Sequence, residues 1–260
     1  MGVSRLWSWL LSERDAFEKD WPSRTLGAAE TRLVVGTWLV CCLSLWVSNY
    51  TSRDVWSWLP LTMTGGDDRF WRKIGWAWGV ALFYVVPGLV WARVGLGLTP
   101  RDMGFRLHGI RSHAWVYAAA LAVVWPFVFA VSFAREFQAT YPMCKAAADS
   151  FSRLITWELS YGLQFVGVEF LFRGLFLFGT ARFLGGWVAV ASMVPSYLML
   201  HFQKPGPEAL GSVIAGLAMG VMALRSRSIL LGVALHVTVA WSMDLLSMWH
   251  SGKLLRLLAP

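Results

Sequence analysis

Stretches of about 20 residues with no Asp, Glu, Lys or Arg constrain this chain more than any other feature. Leu33 to Ser52 lies between Arg32 and Arg53, and Ile74 to Ala92 lies between Lys73 and Arg93. As α-helices, runs of this length measure ~30 Å, the thickness of a bilayer's hydrocarbon core. Within 260 residues, 57% are hydrophobic and 15% charged, which excludes an ordinary cytosolic enzyme. The chain reads as all-α, a polytopic membrane helical bundle with about seven transmembrane helices. Its 24 glycines suit close helix packing, and its 17 tryptophans suit the headgroup region.

The remaining spans follow the same logic. A third helix is expected at Ala114 to Ala134, a fourth at Leu154 to Ala181, a fifth at Phe183 to Phe202, a short sixth at Ala209 to Leu224, and a seventh from Ser228 to His250. Gly65, Gly66, Asp67 and Asp68 read as a polar turn, and Arg135 to Arg153, with Pro142, as a loop. The chain divides into an amphipathic amino-terminal segment (1–30), three spanning helices with polar connections (31–135) and a membrane domain (150–250). The first 30 residues mix Trp7, Trp9, Leu10 and Leu11 with Glu13, Asp15, Glu18 and Asp20, a surface segment and not a cleavable leader. A cytoplasmic amino terminus is expected from 12 basic residues on that side against 10 on the other, and a plasma or inner membrane location goes with it.

The net charge of +8 does not imply nucleic-acid binding, because the basic residues punctuate the ends of apolar segments and form no soluble basic face. The expected partners are the lipid bilayer and a membrane-anchored protein or peptide. Cys41, Cys42 and Cys144 offer neither a disulfide framework nor metal-ligand spacing and are read as packing residues.

Charge inside a span is the exception that points to chemistry. Helix four carries Glu169 and Arg173 one turn apart within VEFLFRG. A buried carboxylate beside a guanidinium can stay ionised and take a proton from water, although a simple interhelical clamp would look the same in sequence. Glu158 stands ~16.5 Å away along the same helix and is expected near the opposite membrane surface, paired with a basic side chain. His201 ends helix five and His236 lies within helix seven. A shared hydrated cavity would satisfy Glu169, His201 and His236 together at lower cost than three separate burials. The chain contains no HExxH, GxSG, GxGD or phosphate-binding loop, which leaves hydrolysis within the membrane as the leading reading.

The arrangement VEFLFR, then Tyr197 to His201, then His236 to Ala240 resembles the EExxxR, FxxxH and HxxxN or HxxxD motifs of the CPBP intramembrane proteases. That family includes prenyl-protein CAAX endopeptidases and bacterial Abi or bacteriocin-immunity proteins. The likeness covers roughly Leu154 to His250. It implies an endopeptidase in which Glu169, with help from His201, deprotonates a water, Arg173 keeps Glu169 charged, and His236 donates to the oxyanion. Glu208 and Asp244 are implied as supporting residues. Three positions depart from the pattern: Val168 where the first Glu stands, Tyr197 for Phe, and Ala240 for the final polar residue. Asp244 lies ~12 Å along and about 80° around the helix from His236, so it cannot occupy the place of residue 240. No cofactor is expected, with zinc on two histidines and a glutamate as the open alternative. The rival functions are an inactive membrane scaffold or immunity protein of the same fold and a small proton-coupled transporter.

Overall fold

The computed structural model describes residues 3–52, 68–107 and 110–258, and among them helices are the only regular elements. In chain order they are α1 (Val3–Asp20), α2 (Ala28–Thr51), α3 (Asp68–Val94), α4 (Ile110–Val131), α5 (Arg135–Thr140) and α6 (Phe151–Glu169). A π-helical stretch, Phe170–Phe178, continues α6 into α7 (Gly179–Leu184). Then come α8 (Gly186–Met199), α9 (Gly206–Ser226), α10 (Leu230–His250) and α11 (Lys253–Leu258). Residues 65–67 of the expected polar turn lie outside the described residues.

Six of these segments are long and apolar enough to cross a membrane, and α8 is a shorter apolar helix. Large apolar side chains such as Leu39, Leu43, Trp46, Val90 and Phe127 point outward. In water this would be a liability; in lipid it is the expected surface. The chain is an integral multi-pass membrane protein.

The expected and observed spans differ in instructive places. The fifth helix, not the sixth, is the short one. Gly185, at φ +80°, starts α8 with a backbone turn that any side chain would force against Ser23, and Leu200 already begins the turn toward Lys204. The sixth gains length at both ends, reaching 21 residues as α9, because Pro207 suits a first helical turn and Ser226 still lies inside the last. The loop expected from Arg135 to Arg153 contains α5 and a 3-10 turn, Lys145–Asp149. Cys41 and Cys144 are buried as expected, but Cys42 is exposed and packs nothing inside.

The spine of the fold is the 34-residue run Phe151–Leu184, ~51 Å long. Ser150 caps its start by accepting the Arg153 N–H at 3.3 Å. Most of the run is enclosed by other helices. Against α3 the approach is backbone to backbone: a Cβ on Gly167 would stand 2.8 Å from Ala81 Cα. Against α10 it is antiparallel, through the stripe Glu158, Gly162, Phe165 and Glu169, whose 3–4 spacing lies along one helix face. A Cβ at Gly162 would meet Trp241 at 3.4 Å, and Phe165 stacks on His236 with ring centroids 4.4 Å apart. This contact carries residues 67 positions apart into one site.

Candidate active site

Glu169 closes the regular part of α6, and Arg173 sits one turn on in the π-helical stretch, where wider i to i+5 hydrogen bonding is a frequent companion of functional sites. Arg173 Nη1 donates to Glu169 Oε1 at 3.1 Å, with the two side chains 0% and 1% exposed. From α10, His236 Nδ1 approaches the same Oε1 at 3.0 Å. One carboxylate oxygen therefore receives two donors from two helices. The other oxygen, Oε2, lies over Gly232, where a Cβ would stand only 2.6 Å from it. Glycine at 232 is what lets the carboxylate lie flat against α10.

Tyr197 of α8 joins this group to His201. Its hydroxyl is 3.5 Å from His236 Nε2, and the Arg173 guanidinium lies over its ring, 4.2 Å from the centroid. The ring centroid of His201 is 5.0 Å from that of Tyr197 and the ring centroid of His236 6.3 Å from it, so one phenol touches both imidazoles. Among the described residues His201 makes no hydrogen bond to Glu169. Its Nδ1 turns back to the Tyr197 carbonyl oxygen at 3.1 Å. A carbonyl only accepts, so Nδ1 carries the proton and Nε2 is left as an acceptor. Burial pushes this imidazole below its ordinary value, which keeps it neutral near pH 7.

The two supporting carboxylates lie elsewhere. Glu208 sits in the first turn of α9, accepts the Tyr141 hydroxyl at 2.7 Å and pairs with Lys204 at 3.3 Å. It begins a helix at its positive dipole end. Asp244, 0% exposed, accepts Trp157 Nε1–H at 2.7 Å and Met143 N–H at 2.9 Å, tying α10 to α6 and to the 141–149 connection. Ala240, one turn after His236, is packed among Trp157, Tyr161 and Phe165 and adds no polar group.

Glu158 departs from expectation. It is buried within the α6–α10 contact, and among the described residues neither carboxylate oxygen has a hydrogen-bond partner, basic or otherwise. The stripe that faces Glu169 toward α10 also turns Glu158 inward, away from any basic surface residue. Methionine has similar length and no group to satisfy, so Glu158→Met should stabilise the protein by about 1–3 kcal/mol. Unfolding followed by tryptophan fluorescence should show a raised midpoint; a lowered one would mean that the carboxylate has a partner.

Tyr197 is the site residue whose part the sequence does not announce, since a Phe-to-Tyr exchange in a helical motif differs by one hydroxyl. Among the described residues, no set of three or more His, Cys, Asp or Glu side chains is grouped to hold a metal ion. Glu169 Oε1 is already occupied by two donors, so the residues present do not form a preassembled zinc site.

With this geometry in view, comparison with known proteins is informative. No curated protein matches the chain, and no solved structure does. Residues 151–242 match the family model described as type II CAAX prenyl endopeptidase Rce1-like. The match begins at the first residue of α6 and ends inside α10, so it contains Glu169, Arg173, Tyr197, His201 and His236 and omits Asp244. Residues 151–242, and with them the whole Glu169 cluster, are thus similar to an Rce1-like endopeptidase domain, a likeness that supports a CPBP-type intramembrane protease.

Proposed function

We propose that the protein is an intramembrane endopeptidase that hydrolyses a peptide bond in a membrane-anchored protein or peptide near the bilayer surface, using a water activated by Glu169 through His236. The observation that carries this reading is the bond from His236 Nδ1 to Glu169 Oε1 at 3.0 Å, across two helices and beside the Arg173 counter-charge. A histidine that gives its Nδ1 proton to a carboxylate presents Nε2 as a base, and the carboxylate holds the tautomer and balances the imidazolium that forms. Glu169 Oε1 is already taken by two donors and Oε2 lies against Gly232, whereas the His236 side chain is 16% exposed and its Nε2 is left for water.

In the proposed step His236 Nε2 takes one proton from water as its oxygen attacks the scissile carbonyl carbon. His201 Nε2 accepts the hydrogen bond of the second water proton. The imidazolium then protonates the departing amide nitrogen as the carbon–nitrogen bond breaks, releasing a carboxylic acid and an amine. The role given to His236 changes accordingly: the sequence suggested an oxyanion donor, and the Nδ1 contact favours a base.

The test is a comparison of new protein termini in membranes that contain the wild-type chain or Glu169→Gln. Termini present only with wild type support the endopeptidase. Identical termini favour an inactive scaffold of the same fold.

The Gly232 contact supplies a second check. Gly232→Ala places a methyl group where Glu169 Oε2 now lies and must push the carboxylate out of line with His236. Displacement on the order of 1 Å can cost about 10²-fold, so kcat/KM on an anchored peptide should fall by that order. Wild-type turnover in this variant would show that the Glu169 position is not critical.

A further inference from the structure

We infer that the Tyr197 hydroxyl is the oxyanion donor of this site, a role that rests on the endopeptidase reading and names a catalytic residue it leaves open. If His236 Nδ1 is committed to Glu169 and Nε2 to water, the site needs a separate hydrogen-bond donor for the carbonyl oxygen as it becomes negative. Ala240 provides none. The Tyr197 hydroxyl is 3.5 Å from Nε2, long for a direct bond and short enough for both groups to meet one reacting carbonyl: the base on the side of the water, the phenol on the side of the oxygen.

Three further observations support this assignment. Tyr197 is 2% exposed, so its hydroxyl acts in a medium where one donor is worth far more than in water. Its ring is held by the Arg173 guanidinium, 4.2 Å from the centroid, and by Phe172, edge-on, with centroids 5.4 Å apart, which fixes the position of the hydroxyl oxygen before substrate arrives. Arg173 also brings positive charge to the spot. Among the described residues its Nε and Nη2 have no hydrogen-bond partner, so the guanidinium is not fully spent on Glu169 and its field favours an oxyanion at the phenol. Phe at 197 would keep the ring and its packing against Arg173 and Phe172 and would lose the hydroxyl.

The experiment is Tyr197→Phe in the full chain, reconstituted in lipid nanodiscs and assayed on an anchored peptide whose cleavage is lost with Glu169→Gln. The expected result is a fall in kcat of about 10²-fold with KM within about twofold and an unchanged thermal midpoint. A kcat within about twofold of wild type overturns the assignment and leaves the endopeptidase reading standing, as does a loss of kcat matched by a lowered thermal midpoint. If the wild-type chain cleaves no anchored peptide, the endopeptidase reading falls and this inference with it. A readout without turnover uses the ¹⁵N resonances of His236: removal of the neighbouring hydroxyl should move Nε2 and leave Nδ1. An unmoved Nε2 would separate the phenol from the base and overturn the assignment.

Discussion

Glu169→Gln is expected to reduce cleavage about 10³- to 10⁴-fold, the scale on which neutralising the carboxylate behind a catalytic histidine acts in other hydrolases. The amide can still accept from one neighbour, but it cannot balance an imidazolium, and its NH2 group favours the wrong tautomer of His236. The same substitution leaves the Arg173 guanidinium 0% exposed with no counter-charge, a situation that costs about 3–5 kcal/mol. A loss of activity in this variant could therefore reflect unfolding. The double variant Glu169→Gln, Arg173→Met separates the two effects. Replacing a buried ion pair by neutral groups of similar volume is often nearly neutral, so the unfolding midpoint should return close to that of wild type while cleavage stays lost. Turnover above about a tenth of wild type in the stable double variant would mean that His236 does not need the Glu169 carboxylate to act as base.

The ion pair was legible in the sequence because a charge inside an apolar run stands out against its surroundings and the i, i+4 spacing survives entry into the π-helical stretch. The stretch itself was not. FLFRGLFLF is apolar at nearly every position, so no period distinguishes i to i+5 bonding from an ordinary helix. The spans were found from gaps between charges, which mark where a helix can lie but not where it stops. Gly185 ended α7 and delayed the start of α8 through a positive φ, a backbone property that no hydropathy window records. Bringing His236 onto Glu169 needed the α6–α10 contact, and only the economy of one shared polar cavity hinted at it. Tyr197 was hidden by the smallness of the signal: a single hydroxyl, whose meaning depends on a histidine one turn on and on a histidine and an arginine from two other segments. Glu158 shows the reverse case. Its charge was visible, but nothing in the sequence told which way its helix face would turn.

Asp244 was a natural candidate for chemistry, an acid in the last motif helix, and the structure gives it a load that can be tested. Its Oδ1 accepts the Met143 N–H and its Oδ2 the Trp157 indole N–H. These two donors come from the 141–149 connection and from α6, so the carboxylate fastens both to α10 at a point with no access to solvent. Asp244→Ala strands both donors in the interior at about 1–3 kcal/mol each, or roughly 2–6 kcal/mol in all. Asparagine does not rescue the site, because whichever way its amide turns, NH2 meets one of the two donors; Asp244→Asn should recover about half of the loss. The ordering wild type, Asn, Ala in the unfolding midpoint, with kcat per folded molecule changed by less than about threefold, is the signature of a strut two turns from the reacting groups. A large drop in kcat for Asp244→Asn at a temperature where it remains folded would instead place the carboxylate in the chemistry. It would also require Asp244 to leave Trp157 and Met143 when substrate binds, which the cost of stranding two buried donors opposes.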